Sequence, residues 1–133
     1  MPNSNGQITK NILVVEDEKP LLEAIHLKLE KNNLTVVTTR TAEQAWNFLN
    51  DLKNIDVIWL DHYLLGKETG LDFVARVKND KVFKSIPIFV VSNTASTEKV
   101  QTYLNFGVNK YYTKSNYRLD QIIGDIKDYL DKR

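Results

Sequence analysis

Five polar side chains stand at the ends of apolar runs, where chemistry can be done. Glu16 and Asp17 follow Ile12-Leu13-Val14-Val15, and Asp61 follows Val57-Ile58-Trp59-Leu60. Ser92 follows Ile86 to Val91, and Lys114 follows Lys110 to Thr113. An acid pair, a single aspartate, a hydroxyl and an amine can hold a cation and an anion together. Two unit charges ~4 Å apart at an effective dielectric of ~20 interact by about 4 kcal/mol. Three carboxylates brought together therefore repel unless a cation or a proton intervenes. A hard divalent cation with oxygen ligands answers that need, and Mg²⁺ suits a small site that keeps several waters. Asp61 is the residue on which the set is centred.

These residues can meet only if the segments before them are parallel strands of one sheet. Ile12 to Val15 and Val57 to Leu60 are apolar at every position, the pattern of strands buried on both faces. Ile86 to Val91 reads as a third such strand, with Pro87 tolerable near its start. Leu34 to Thr39 is half threonine and Lys110 to Thr113 is mixed, which suits the two edges.

Helices fall between the strands. Pro20 sits in the first turn of one whose stripe is Leu21, Leu22, Ile25 and Leu29, and Asn32-Asn33 ends it. Thr41-Ala42-Glu43-Gln44 has the capping-box pattern, ahead of a buried face of Ala45, Trp46 and Leu49. Gly70 and Leu71 lead into a third helix with Phe73, Val74 and Val77 inward. Val100, Tyr103 and Leu104 mark a fourth, punctuated by Gly107. Asn116 caps a fifth, carrying Leu119, Ile122, Ile123, Ile126 and Leu130 at helical spacing.

Strands beginning near residues 12, 34, 57, 86 and 110 make five βα units, an α/β fold with a doubly wound five-stranded parallel sheet. Burying the three most apolar strands centrally gives the order 2-1-3-4-5, the flavodoxin-like (βα)5 arrangement. In that order the first and third strands are neighbours at the switch point. Glu16, Asp17 and Asp61 then converge on one rim, with Ser92 and Lys114 in reach.

Composition narrows the classes. A chain of 133 residues suits one domain, and the absence of cysteine excludes disulfides, thiolate metal sites and a cysteine nucleophile. Net charge is +1, and the lysines of the last third are interleaved with acids, so no direct nucleic-acid binding is expected. No apolar run approaches the ~20 residues that span a bilayer. Residues 1–10 are polar and are expected to form a flexible tail, with one folded unit over 11–133 and a cytoplasmic location.

The chain resembles the receiver domain of two-component response regulators, including the chemotaxis regulators, over residues 11 to about 131. The matching stretches are Ile12 to Glu18, Asp56 to Asp61, Ile86 to Ser92 and Gly107 to Lys114. The resemblance implies a phosphoacceptor rather than a turnover enzyme. Asp61 would take a phosphoryl group from a phosphohistidine, on a sensor histidine kinase or a histidine phosphotransfer protein. Asp17, Asp61 and the backbone carbonyl of Tyr63 would ligate Mg²⁺, with Glu16 acting through water. Ser92 and Lys114 would hold the phosphoryl oxygens, and Tyr111 would be the switch aromatic that alters a partner-binding surface.

Four positions depart from the family pattern. Leu65 stands where proline is common four residues after the acceptor, and Gly70 makes that loop one residue longer than usual. Asn93 replaces a small residue after Ser92. Ser115 follows Lys114 in place of proline, and since a cis bond before serine costs ~2.5–4 kcal/mol, a trans Lys114–Ser115 bond is expected.

Singly, these residues have ordinary readings as caps, turn residues or surface lysine, and His26 and His62 read as exposed. Two other chemistries share features with the set. A flavin module needs Ser, Thr and Gly after the first strand, where Glu16-Asp17-Glu18 would repel phosphate. An aspartate-nucleophile phosphohydrolase typically carries a second Asp where Tyr63 stands. A receiver that binds partners without phosphorylation is a third alternative.

Overall fold

The computed structural model describes residues 9–94 and 96–132. Five strands and five helices alternate: β1 (Lys10–Val15), α1 (Lys19–Lys31), β2 (Leu34–Thr39), α2 (Ala42–Leu52) and β3 (Val57–Leu60) come first. Then follow α3 (Gly70–Lys78), β4 (Ile88–Ser92), α4 (Thr97–Asn105), β5 (Lys110–Thr113) and α5 (Leu119–Asp131). All neighbouring strands pair in parallel, in the order β2-β1-β3-β4-β5. Most of the tail expected at the start lies outside the described residues, but Lys10 already belongs to β1.

The apolar runs divide their side chains between two cores, as the two-residue period of a strand requires. Leu13, Val15, Ile58, Leu60, Ile88 and Val90 face α2, α3 and α4. Ile12, Val14, Val57, Trp59, Phe89 and Val91 face α1 and α5. Because β1, β3 and β4 are greasy on both sides, they are driven to the centre. β2 keeps Thr35 exposed and three residues half-buried, so it stays at an edge.

Several boundaries differ from the sequence reading. β4 begins at Ile88, not Ile86, because Pro87 has no N–H to give a ladder; its carbonyl still accepts from Ile58 N–H at 2.9 Å. The N-cap position of α5 is held by Arg118, with no side-chain cap bond, rather than by Asn116, which lies in the preceding turn with its N–H donating to Thr113 O at 3.1 Å. In α4 it is Tyr103 that is fully buried, whereas Leu104 points outward. Thr41 accepts from Gln44 N–H as expected, but Gln44 Oε1 returns to Arg40 N–H, one residue earlier than a capping box would have it. Lys114–Ser115 is trans, as every peptide bond among the described residues is.

Candidate functional site

The register carries the acids to one point. Val15 pairs with Leu60, so Glu16 and Asp61 leave adjacent strands at the same level. Asp61 N–H donates to Val15 O at 2.9 Å, and Glu16 N–H to Thr39 O at 3.0 Å, so both backbones are held by the sheet. One carboxylate oxygen from each of Glu16, Asp17 and Asp61 lies within 4.8 Å of the others. Glu16 is fully buried and Asp61 nearly so, while Asp17 is half-buried.

Lys114 reaches in from the end of β5. Its ammonium donates to Glu16 Oε1 at 2.8 Å and to Asp61 Oδ2 at 3.2 Å. Burial alone would lower its pKa, but the bond to Glu16 and the charges of Asp61 and Glu16 outweigh that and raise it. Lys114 therefore stays an ammonium. Burial acts the other way on Glu16, whose carboxyl is pushed up to about 7, with Lys114 pulling it back and Asp61 adding to the rise. Three ionised carboxylates against one ammonium leave the rim two negative charges in excess. The raised pKa of Glu16 works against that excess.

Asp61 Oδ1 is buried without a hydrogen-bond partner, although its sibling Oδ2 is bonded to Lys114. A carboxylate oxygen in that condition costs on the order of 1–3 kcal/mol or more. An orphaned buried acceptor in a rim of three clustered carboxyl groups is chemically suited to a dication. Oxygen-only donors fit a hard ion such as Mg²⁺.

The remaining expected residues surround this pair. Ser92 is fully buried at the end of β4, its carbonyl accepting from Lys114 N–H at 2.8 Å. Its hydroxyl accepts from Thr94 N–H at 3.4 Å. Tyr111 is half-buried, and its hydroxyl donates to Thr94 O at 2.9 Å. Tyr63 lies two residues beyond Asp61 with its side chain half exposed, and the Lys99 ammonium sits 5.2 Å above its ring.

The chain matches the response regulator receiver domain over residues 12–127. It belongs to the response regulator receiver family. The receiver is 32% identical over 107 residues to the phosphate regulon transcriptional regulatory protein PhoB of Escherichia coli, covering 80% of this chain and 46% of PhoB. It thus spans about half the length of such curated relatives. It superposes on the crystal structure of the phosphorylated cyanobacterial phytochrome response regulator RcpA with a TM-score of 0.78. Identity there is 29%, and the match covers 92% of this chain and 91% of that one. On the Mn²⁺-bound form of response regulator Rcp1 the TM-score is 0.78 at 26% identity, over 91% and 94% of the two chains. The fold of this receiver and its membership in two-component signalling are thereby established.

One expectation is corrected: His62 is buried, not exposed. It continues the alternation of β3, in which Ile58, Leu60 and residue 62 share the face toward α4. That periodicity was a usable signal. His62 Nδ1 and the Tyr103 hydroxyl share a 2.6 Å hydrogen bond beneath the loop that follows β3. Burial, then the nearby Lys99 charge, lowers the His62 pKa, and burial raises that of Tyr103. The other histidine, His26, is half-buried and lies 3.2 Å from Glu30. Tyr103→Phe keeps the ring but leaves Nδ1 without a partner, an expected loss of about 1–3 kcal/mol. An unchanged urea midpoint in that variant would show that the pair carries no stability.

Proposed function

We propose that this receiver accepts a phosphoryl group on Asp61 from a phosphohistidine of a sensor histidine kinase or histidine phosphotransfer protein. The observation that carries the reading is the buried, unpartnered Asp61 Oδ1 beside a lysine that already engages Oδ2. A lone pair of the Asp61 carboxylate oxygen that does not hold the metal forms the new bond to phosphorus as the phosphorus–nitrogen bond to the donor imidazole breaks. The bonding electrons leave with the imidazole nitrogen.

Asp17, Asp61 and the Tyr63 carbonyl would hold Mg²⁺, with Glu16 acting through water, and the ion, when bound, supplies neutralisation of the carboxylates and the transferred oxygens. The Lys114 ammonium exchanges Asp61 for a phosphoryl oxygen, and the Ser92 hydroxyl donates to another. Drawing Ser92 toward the new group pulls on the β4–α4 loop, where Thr94 O accepts the Tyr111 hydroxyl. Release of that bond lets Tyr111 change position, and a partner-binding surface of α4, β5 and α5 changes with it.

Acetyl phosphate with Mg²⁺ tests the acceptor. Intact-mass measurement is expected to show one added phosphoryl group on the wild type and none on Asp61→Asn. Equal labelling of the two proteins would place the acceptor elsewhere.

A further inference from the structure

We infer that Arg40 is a positioning residue that sets the metal affinity of Asp17, an inference that rests on the metal-dependent reading above. Asp17 lies outside both neighbouring elements, since β1 ends at Val15 and α1 begins at Lys19. No ladder bond and no helical bond holds its carbonyl; the first helical acceptor is Glu18 O, taken by Leu22 N–H. Arg40 supplies the missing contact. Its Nε–H and Nη2–H both donate to Asp17 O, at 3.1 and 2.7 Å.

The clamp is anchored at its other end. Arg40 directly follows β2, and its own N–H is fixed on Gln44 Oε1 at 3.0 Å, in the first turn of α2. On the far side of Asp17, Glu18 N–H donates to Glu16 Oε2 at 3.0 Å. With the preceding strand held by the sheet and the following peptide held by Arg40, both soft dihedrals of Asp17 are defined. The direction of its Cα–Cβ bond follows, and that bond aims the carboxylate at Asp61. Without the clamp, each metal-binding event must order this residue again, an entropy cost that lowers affinity.

The charge of Arg40 works in the opposite sense, because a cation beside the rim repels another. Arg40 is exposed, so water and salt weaken that repulsion, whereas the ordering entropy is not screened. Positioning is therefore the larger effect.

The experiment titrates Mg²⁺ into the full chain and follows backbone amide shifts in wild type, Arg40→Ala and Arg40→Lys. Arg40→Ala is expected to weaken binding about three- to tenfold, the scale of one net hydrogen bond. Arg40→Lys, which keeps the charge and one reaching donor, falls between. The deficit of Arg40→Ala should persist at raised salt. In the metal-free proteins, amide exchange at Asp17 and Glu18 should quicken in Arg40→Ala while that of Asp61 is unchanged. A wild type that binds Mg²⁺ with Arg40→Ala equal or tighter overturns this inference alone. A wild type that binds no Mg²⁺ overturns the metal reading and takes the inference with it.

Discussion

Gly70→Ala is expected to lower the melting temperature by about 10 °C, although alanine is the better helix former by ~1 kcal/mol. A Cβ at residue 70 would lie 2.5 Å from Asp61 O, 2.8 Å from the Tyr103 hydroxyl and 2.9 Å from His62 Cα. Neither side can retreat. Gly70 N–H is bonded to His62 O at 2.9 Å, and Asp61 is pinned to β1 through Val15 O. The start of α3 is also held, since Thr69 and Asp72 cap one another. Crowding against fixed backbone costs roughly 3 kcal/mol, which exceeds the gain in propensity. Gly124 in α5 is the internal control, because nothing lies within 4 Å of its added Cβ. Gly124→Ala should raise stability by up to ~1 kcal/mol. If thermal melts moved both variants in the same direction, the close packing under the loop after β3 would be refuted.

Lys114→Met in the metal-free protein is expected to cost about 3 kcal/mol at about pH 8, because it strands two buried acids without their counter-ion. The loss should depend on pH in a defined sense. Glu16 has its pKa raised from 4.5 to about 7, mainly by burial. The folded chain thus keeps a proton that the unfolded chain has released. Wild-type stability accordingly falls as pH rises from about 4.5 through about 7, and levels off above. In Lys114→Met the lowering influence of the ammonium is gone, so the fall is deeper and runs to higher pH. Near pH 5 Glu16 is protonated in both proteins and the gap between them is smallest. Mg²⁺ should narrow the gap near pH 8 by restoring positive charge to the rim. Urea midpoints at the two pH values, with and without Mg²⁺, provide the check. A gap independent of pH would mean that Lys114 acts through packing rather than charge.

The sheet was legible in the sequence because its physics is local. Ile12 to Val15 and Val57 to Leu60 have no polar position, so they must be central. Threonines in Leu34–Thr39 mark an edge, and five such units in succession leave the order 2-1-3-4-5 as the natural solution. The rim of Glu16, Asp17, Asp61, Ser92 and Lys114 then follows, since each residue stands at or just beyond the end of a strand and parallel strands end together.

Tertiary structure alone decided what long-range partners impose. The alternation of β3 signals that His62 is buried, but only the fold shows its partner, because α4 brings the hydroxyl of Tyr103, 41 residues away, to 2.6 Å from Nδ1. Gly70 reads as a helix start, and only the packed structure shows that a missing Cβ is what admits Tyr103 beneath Asp61. Asn116 offers a good cap in isolation, yet it falls in the turn after β5 and the helix begins only after Arg118. Arg40 carries no signal at all by composition, because its partner is a backbone carbonyl 23 residues earlier, and every residue type presents the same carbonyl. Periodicity reports which face a side chain must hide; it carries no information about which distant atom will meet it there.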